Sequence, residues 1–306
     1  MHKIFHRFIV MLFVSFGLLA SLPAVSQERQ NAGVGRLFSN DFFGDGQDRW
    51  HTMSYALSVM RGPDASGVAP EAFGRLVEHR LRSEVIAPEN LTAAVADRPY
   101  AGVLSYGLHS HSRVGAVQSR VGLDVVALGP QTGIGRLHSW VHDGLNSPRP
   151  DLTTQLPNAV YPTLSGEMAQ TVHIGDFEVR PFAEAQYGVE TFTRLGADIF
   201  FGTRSLDVVR LRDVTTGQLY DPVIKGRNEP SVEFRLGADV AHVWSSKYLT
   251  GAGDQSLEPV RFRGRAGVQL SAPQADLFYG VSWLSPEFEG QTEGQLVGSL
   301  NVNLRF

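Results

Sequence analysis

The chain has 306 residues, with 27 Lys and Arg against 31 Asp and Glu, a formal charge of −4 and no cysteine. The slight acidity gives no basic footprint for nucleic acid, and the missing cysteine excludes both a disulfide scaffold and a lipidated N-terminus. Beyond the first residues no run is apolar enough to make a membrane helix of about 20 residues.

The N-terminal segment reads as a secretory signal peptide. His2, Lys3, His6 and Arg7 form a basic start, Phe8 to Leu19 an apolar run, and Ala24-Val25-Ser26 a small-x-small cleavage site. Cleavage there removes residues 1–26 and leaves 27–306 as one exported domain.

Period-2 alternation dominates the rest. Val117, Val121, Leu123, Val125 and Ala127 alternate with Gln118, Arg120, Gly122 and Asp124. Val232, Phe234, Leu236, Ala238 and Val240 alternate with Glu233, Arg235, Gly237 and Asp239. Strands are predicted near residues 35–41, 51–61, 74–86, 99–111, 116–128, 160–172, 177–189, 191–202, 231–245, 259–271, 275–285 and 294–306. That is about twelve, and most are long enough to cross a bilayer at roughly 9–11 tilted residues each.

Tight turns are expected at Ile174-Gly175-Asp176 and Ala272-Pro273-Gln274. Longer loops are expected near 62–73, 129–159, 203–230 and 246–258, with long loops at one end and short turns at the other. The last strand puts Leu296, Leu300, Val302 and Leu304 on one face and Gln295, Ser299, Asn301, Asn303 and Arg305 on the other. It ends on Phe306, as the assembly signal of bacterial outer-membrane barrels does. Alternation alone does not separate a soluble sandwich from a barrel whose faces are inverted. The export signal, the terminal Phe and the number of segments favour an all-β transmembrane antiparallel barrel. Its narrow lumen would be crowded by Arg235, Arg261, Arg263, Arg265, Glu184 and Gln186, which argues against an open pore.

Three stretches interrupt the hairpins. The first holds Asn40, Asp41, Asp48, Arg49 and Thr52. The second is Asp97-Arg98-Pro99-Tyr100-Ala101-Gly102, which as local structure alone would be a strand start with a paired Asp and Arg. The third is the loop Gly129 to Ser147, where Arg136 to Gly144 fits two helical turns and sets His138 and His142 at i and i+4 on one face. That spacing suits a zinc pair, although no third ligand follows in the manner of the zinc-protease motif.

In this order, and with Tyr279 to Gln291 before the closing strand, these motifs resemble the outer-membrane lipid A 3′-O-deacylase family over essentially the whole mature chain. The resemblance implies a twelve-stranded barrel that removes 3′-linked acyl chains from lipid A (lipopolysaccharide) with calcium. The protein is expected to work in the outer-membrane bilayer as a monomer, and its charge gives it no nucleic-acid partner. Asn40, Asp41, Thr52 and His142 match the family's active-site positions. Asp48, Arg49, Asp97, Arg98, Tyr100, Gly102 and His138 fall in supporting or substrate-positioning places. The departures are His51 for a Tyr, Ser54 for a Gly, Val95 for a Lys, His138 for a Gln and Leu152 for a Trp. An inactive structural or binding barrel of the same fold is the alternative.

The chemistry these positions would supply is ester hydrolysis. His142 is the general base, and Asp41 is the hard oxygen ligand for Ca2+. Asn40 donates to the oxyanion or orients His142, and Thr52 holds the attacking water. No Gly-x-Ser-x-Gly elbow is present, which opposes a serine esterase. Since the substrate lies in the outer leaflet, the site is expected on the barrel's outer wall near the membrane surface.

Overall fold

In the computed structural model the alternating segments form long antiparallel strands. They are β1 (Gln30–Asn40), β2 (Trp50–Gly62), β3 (Leu76–Ala87), β4 (Ala101–Val114), β5 (Val117–Leu128) and β6 (Ala159–Gln170). After the short β7 (Val172–Ile174) come β8 (Phe177–Tyr187) and β9 (Glu190–Gly202). The inner hairpin of β10 (Leu211–Arg212) and β11 (Leu219–Tyr220) follows, then β12 (Ser231–Ser246), β13 (Val260–Ser271), β14 (Ala275–Leu284) and β15 (Gln295–Leu304). The structure describes residues 29–93, 95–202, 209–222, 230–250 and 255–304. The expected leader and the terminal Phe306 lie outside them.

Neighbouring strands pair in chain order, β6 pairs with β8, and β1 pairs with β15 in the register Phe38↔Leu300. The sheet is therefore a closed barrel of twelve strands, with β7 extending the β6 side along β8 and leaving no free edge. The predicted strands all appear. The largest difference is β1, which begins at Gln30 rather than 35. A bulge between Asn31 and Gly33 breaks the alternation there, so the first residues of the strand carry no period-2 signal.

Burial along β15 is inverted relative to a soluble sheet. Val302 and Leu304 are 49% and 61% exposed, whereas Asn301 and Asn303 are 5% exposed. Leu123, Val125, Leu195, Phe234 and Phe262 are likewise exposed on the outer face. An apolar exterior around a polar interior is stable when the surroundings are hydrocarbon and every backbone group is bonded within the sheet.

The expectation of long loops at one end only is corrected. Strand parity puts the 129–158 loop, with its helix α1 (Ile134–Leu145), at the end opposite the turn at 115–116. The segment 63–75 and the connection from β9 to β12 share the end of that short turn. Nor are the described residues of that connection, 209–222, a plain loop, because their hairpin folds up into the lumen. Arg212 bonds Glu167 and Asp198 at 2.8 and 2.7 Å, Thr215 bonds Glu84 at 2.7 Å, and Tyr220 meets Ser58 at 3.0 Å. Leu211 and Tyr220 pack with Leu37, Met60, Leu76 and Phe278 from the inner wall.

The expected interior charges are satisfied around this plug. Arg235 pairs with Glu233 and Asp221, and Arg265 with Asp198 and Asp239. Arg261 pairs with Glu190 and Glu287, and Glu184 with Arg120 and Arg194. Polar side chains enclosed this way must be bonded or they cost several kcal/mol each, and here they pair with one another around a polar cavity lined by His51, Glu84, Glu184, Arg194 and Arg263.

Candidate functional site

The helix end of the barrel brings together β1, β2, the 88–100 loop and α1. Asn40 ends β1, and its Oδ1 accepts from Phe42 N at 2.7 Å, capping a 3-10 turn over Asp41–Phe43. The side chain of Asn40 thus serves the turn. The expected contact with His142 is not among its bonds. Asp41 is fully buried: Oδ2 accepts from Arg49 N at 2.7 Å and Gln295 Nε2 at 3.3 Å, and Oδ1 from Thr52 Oγ1 at 2.9 Å. Burial pushes its carboxyl up to about 7, against the lowering effect of the bonds from Arg49 and Thr52.

Thr52 occupies a bulge in β2, between His51, which pairs with Ile86, and Met53, which pairs with Val85. The extra residue breaks the inward–outward alternation. Its hydroxyl meets Asp48 Oδ1 at 2.5 Å as well as Asp41. One hydroxyl proton serves two carboxylates, so the three oxygens share a deficit of positive charge. The preceding Trp50 has φ +48°, rare for a bulky residue, and is held by a bond from its Nε1 to Asp97 Oδ2 at 2.9 Å and by Arg49 over its ring at 4.2 Å. His51 faces the lumen between Glu84 and Glu287, at 2.8 and 3.0 Å.

Helix α1 packs Ile134, Gly135, His138 and His142 against the barrel, an i, i+4, i+8 stripe. Gly102 permits the approach. A Cβ at Gly102 would lie 3.0 Å from Thr132 Oγ1, 3.1 Å from Ile134 Cβ and 3.3 Å from Gly135 N. Ile134 joins Val85, Ala87 and Tyr100 in a small core, with Leu152 packed on it in the place of the family's Trp. Asn146 at φ 54° ends the helix, where the chain turns back so that Pro148 O meets His142 Nδ1 at 2.7 Å.

A carbonyl only accepts, so Nδ1 of His142 carries a proton, and what distinguishes imidazolium from neutral ring is whether an N–H or a lone pair stands at Nε2. That atom is 3.0 Å from Asp48 Oδ2. His138 Nε2 is 3.8 Å from Asp48 Oδ1, and its Nδ1 meets Tyr100 OH at 3.1 Å. The Tyr100 phenol is pushed above its ordinary range, by burial first and then by Asp48. Burial raises the Asp48 carboxyl, but hydrogen bonds from His138 and Thr52 and the two imidazoles outweigh it and hold Asp48 below the ordinary range.

Asp48 is the accessible member, 40% exposed at its side chain, while His138 and His142 are nearly enclosed. Outside it stand Phe42, Phe43, Leu137, Trp140 and Leu145, all exposed and apolar, on the 3-10 turn and the outer face of α1. The turn and the helix that carry the polar cluster thus also carry exposed apolar side chains.

The Asp97–Gly102 stretch holds this assembly together. Asp97 does not pair with Arg98, contrary to the local reading; its Oδ1 accepts from Glu89 N and its Oδ2 from Trp50. Arg98, fully buried, reaches Glu287 at 2.8 Å. Arg49 pairs with Asp45, Glu89 and Glu293. Val95, where some relatives carry Lys, is 88% exposed. Glu287 and Gln295 are functional neighbours that the sequence reading did not single out. The one available signal was their place in and just after the Tyr279 to Gln291 motif, since the contacts join residues more than 180 positions apart.

A family model described as outer membrane protein LpxR matches residues 12–306. LpxR from Salmonella typhimurium superposes with a TM-score of 0.70 at 15% identity, covering 90% of this chain and all of that one. The β-domain of the Bordetella autotransporter BrkA gives a TM-score of 0.43 at 11% identity, covering 90% and 99%. The NanC porin gives 0.42 at 5% identity, covering 90% and 100%. No curated protein sequence matches the chain. With a family match across nearly the whole length and the same closed twelve-stranded barrel, this chain belongs to the outer membrane protein LpxR family.

Proposed function

We propose that the chain is a calcium-dependent ester hydrolase that removes 3′-linked acyl chains from lipid A in the outer membrane. The observation that carries this reading is the ring of His142, held at Nδ1 by Pro148 O, with Nε2 3.0 Å from the accessible carboxylate of Asp48.

His142 takes the proton of a water at Nε2 while Nδ1 stays bonded to the carbonyl, so the ring keeps its orientation as it becomes imidazolium. Asp48, 3.0 Å away, stabilises that charge. Thr52 orients the water from the bulge. Phe42, Phe43 and Trp140 receive the acyl chains from the lipid side and exclude bulk water from the ester. Asn40 acts here by capping the turn that fixes Asp41.

The donor set fits calcium. Asp41 Oδ1 and Asp48 Oδ1 are hard oxygens that share the single hydroxyl proton of Thr52. Bound there, calcium would polarise the ester carbonyl and offset the developing oxyanion.

The test is mass spectrometry of purified lipid A incubated with refolded protein, with calcium or with chelator. Loss of the 3′-linked chains, only with calcium and not with His142→Ala, is the expected result. Intact lipid A under all conditions would leave the inactive-barrel reading in its place.

A further inference from the structure

The site has a second side. Thr52 bonds Asp48 Oδ1, and two imidazoles face the same carboxylate, His142 at Oδ2 and His138 at Oδ1. The side-chain ligand atoms of Asp48, His138 and His142 all lie within 4.8 Å of one another. The helix supplies two nitrogens at i and i+4, and the third ligand, absent from the helix sequence, comes from the loop before β2.

Each imidazole has its outer nitrogen already occupied. His142 Nδ1 donates to Pro148 O, and His138 Nδ1 meets Tyr100 OH. Metal-ligating histidines are oriented in this way, the far nitrogen bonded to a carbonyl or hydroxyl so that the near one presents its lone pair. The Tyr100 hydroxyl accepts as readily as it donates, so His138 can hold the tautomer with Nε2 free.

The spacing fits a small ion. A tetrahedral centre with bonds of about 2.0–2.1 Å needs ligand atoms roughly 3.3 Å apart. Asp48 Oδ2 stands 3.0 Å from His142 Nε2 and Oδ1 3.8 Å from His138 Nε2, close enough for small side-chain adjustments to reach that separation. Two nitrogens and one carboxylate suit a zinc-class ion and not calcium, which takes oxygens almost exclusively. The exposed edge of Asp48 provides the way in. Three protein ligands leave a fourth position for water.

We propose that Asp48, His138 and His142 bind a zinc-class divalent cation, and that the cation takes the Nε2 lone pair of His142 and halts hydrolysis. The binding stands on geometry alone, and the inhibition rests on the hydrolase reading above. Zinc and calcium would then compete through the carboxylate of Asp48 that both need.

Refolded protein in detergent is titrated with zinc against a chromophoric chelator, and folding is checked by the heat-dependent gel shift of an intact barrel. One zinc per chain is expected. His138→Gln should weaken it by at least tenfold, and added calcium should weaken it in the wild type. Cobalt(II) added to the wild type should give the intense visible bands of a tetrahedral centre, a readout that needs no variant. Equal zinc affinity in wild type and folded His138→Gln, or only the pale bands of octahedral cobalt, would overturn the site. Lipid A hydrolysis with calcium alone is measured separately. A zinc-binding protein that never hydrolyses lipid A would sink the hydrolase reading and keep the site. A calcium-driven hydrolase that binds no zinc would do the reverse.

Discussion

Glu287 gathers three cations at the mouth of the barrel: Arg98 at 2.8 Å, Arg261 at 2.9 Å and His51 at 3.0 Å. Burial raises the Glu287 carboxyl, but His51 and Arg261 outweigh it and hold it well below the usual carboxylate range. Glu287→Ala does not strand all three partners. Arg261 retains Glu190 at 3.2 Å and His51 retains Glu84 at 2.8 Å. Arg98 is fully enclosed and retains the face of Phe288 at 5.5 Å as its remaining charge-compensating contact among the described residues. The loss therefore amounts to one uncompensated buried cation, about 3–5 kcal/mol. Reversible urea unfolding in lipid vesicles, followed by tryptophan fluorescence, measures it. Replacing the orphan as well, in Glu287→Ala with Arg98→Met, should return more than half of the lost stability, because two apolar groups replace a broken pair. A single variant within about 1 kcal/mol of wild type, or a double variant no better than the sum of the two single changes, would show that Arg98 is not the stranded charge.

The remaining predictions concern the site and the wall. His142→Ala should lower the rate of lipid A deacylation by roughly 10²–10⁴ while the barrel still assembles, and a fully active variant would remove His142 from the mechanism. Gly102→Val should crowd Thr132 and Ile134 and shift α1, so activity should drop about tenfold or more while the heat-dependent gel shift persists; a displacement near 1 Å costs about 10², and unchanged activity would show that α1 tolerates the move. Calcium affinity, read by isothermal titration, should fall as pH drops through about 7, where buried Asp41 takes up its proton. The same carboxyl acts in the opposite direction on the calcium-free fold. A carboxyl raised from 3.8 to about 7 favours the folded state below 3.8 and loses that contribution as pH rises through about 7. Val302→Lys should cost about 2–4 kcal/mol if Val302 lies near the bilayer midplane, and a change near zero would place it at the interface.

The strands were legible because each carries its own signal. Leu300, Val302 and Leu304 against Ser299, Asn301 and Asn303 specify a two-faced strand without reference to any other part of the chain. Asp48, His138 and His142 were each visible as residues of interest, and the helix that carries the two histidines was readable from its spacing. What no local pattern contains is their meeting. The lumenal plug was invisible for the same reason: Leu211–Arg212 and Leu219–Tyr220 are too short to register as strands, and they stay in place through Glu167, Asp198 and Ser58 on distant strands. The role of Asn40 turned on a cap 2.7 Å long, and that of Arg98 on Glu287, almost 190 residues away. Alternation is a property of neighbours in the chain, so the sequence by itself determined the barrel wall. Closing that wall brought the first strands beside the helix loop and the last strand, and only this closure decided which carboxylate the imidazoles face.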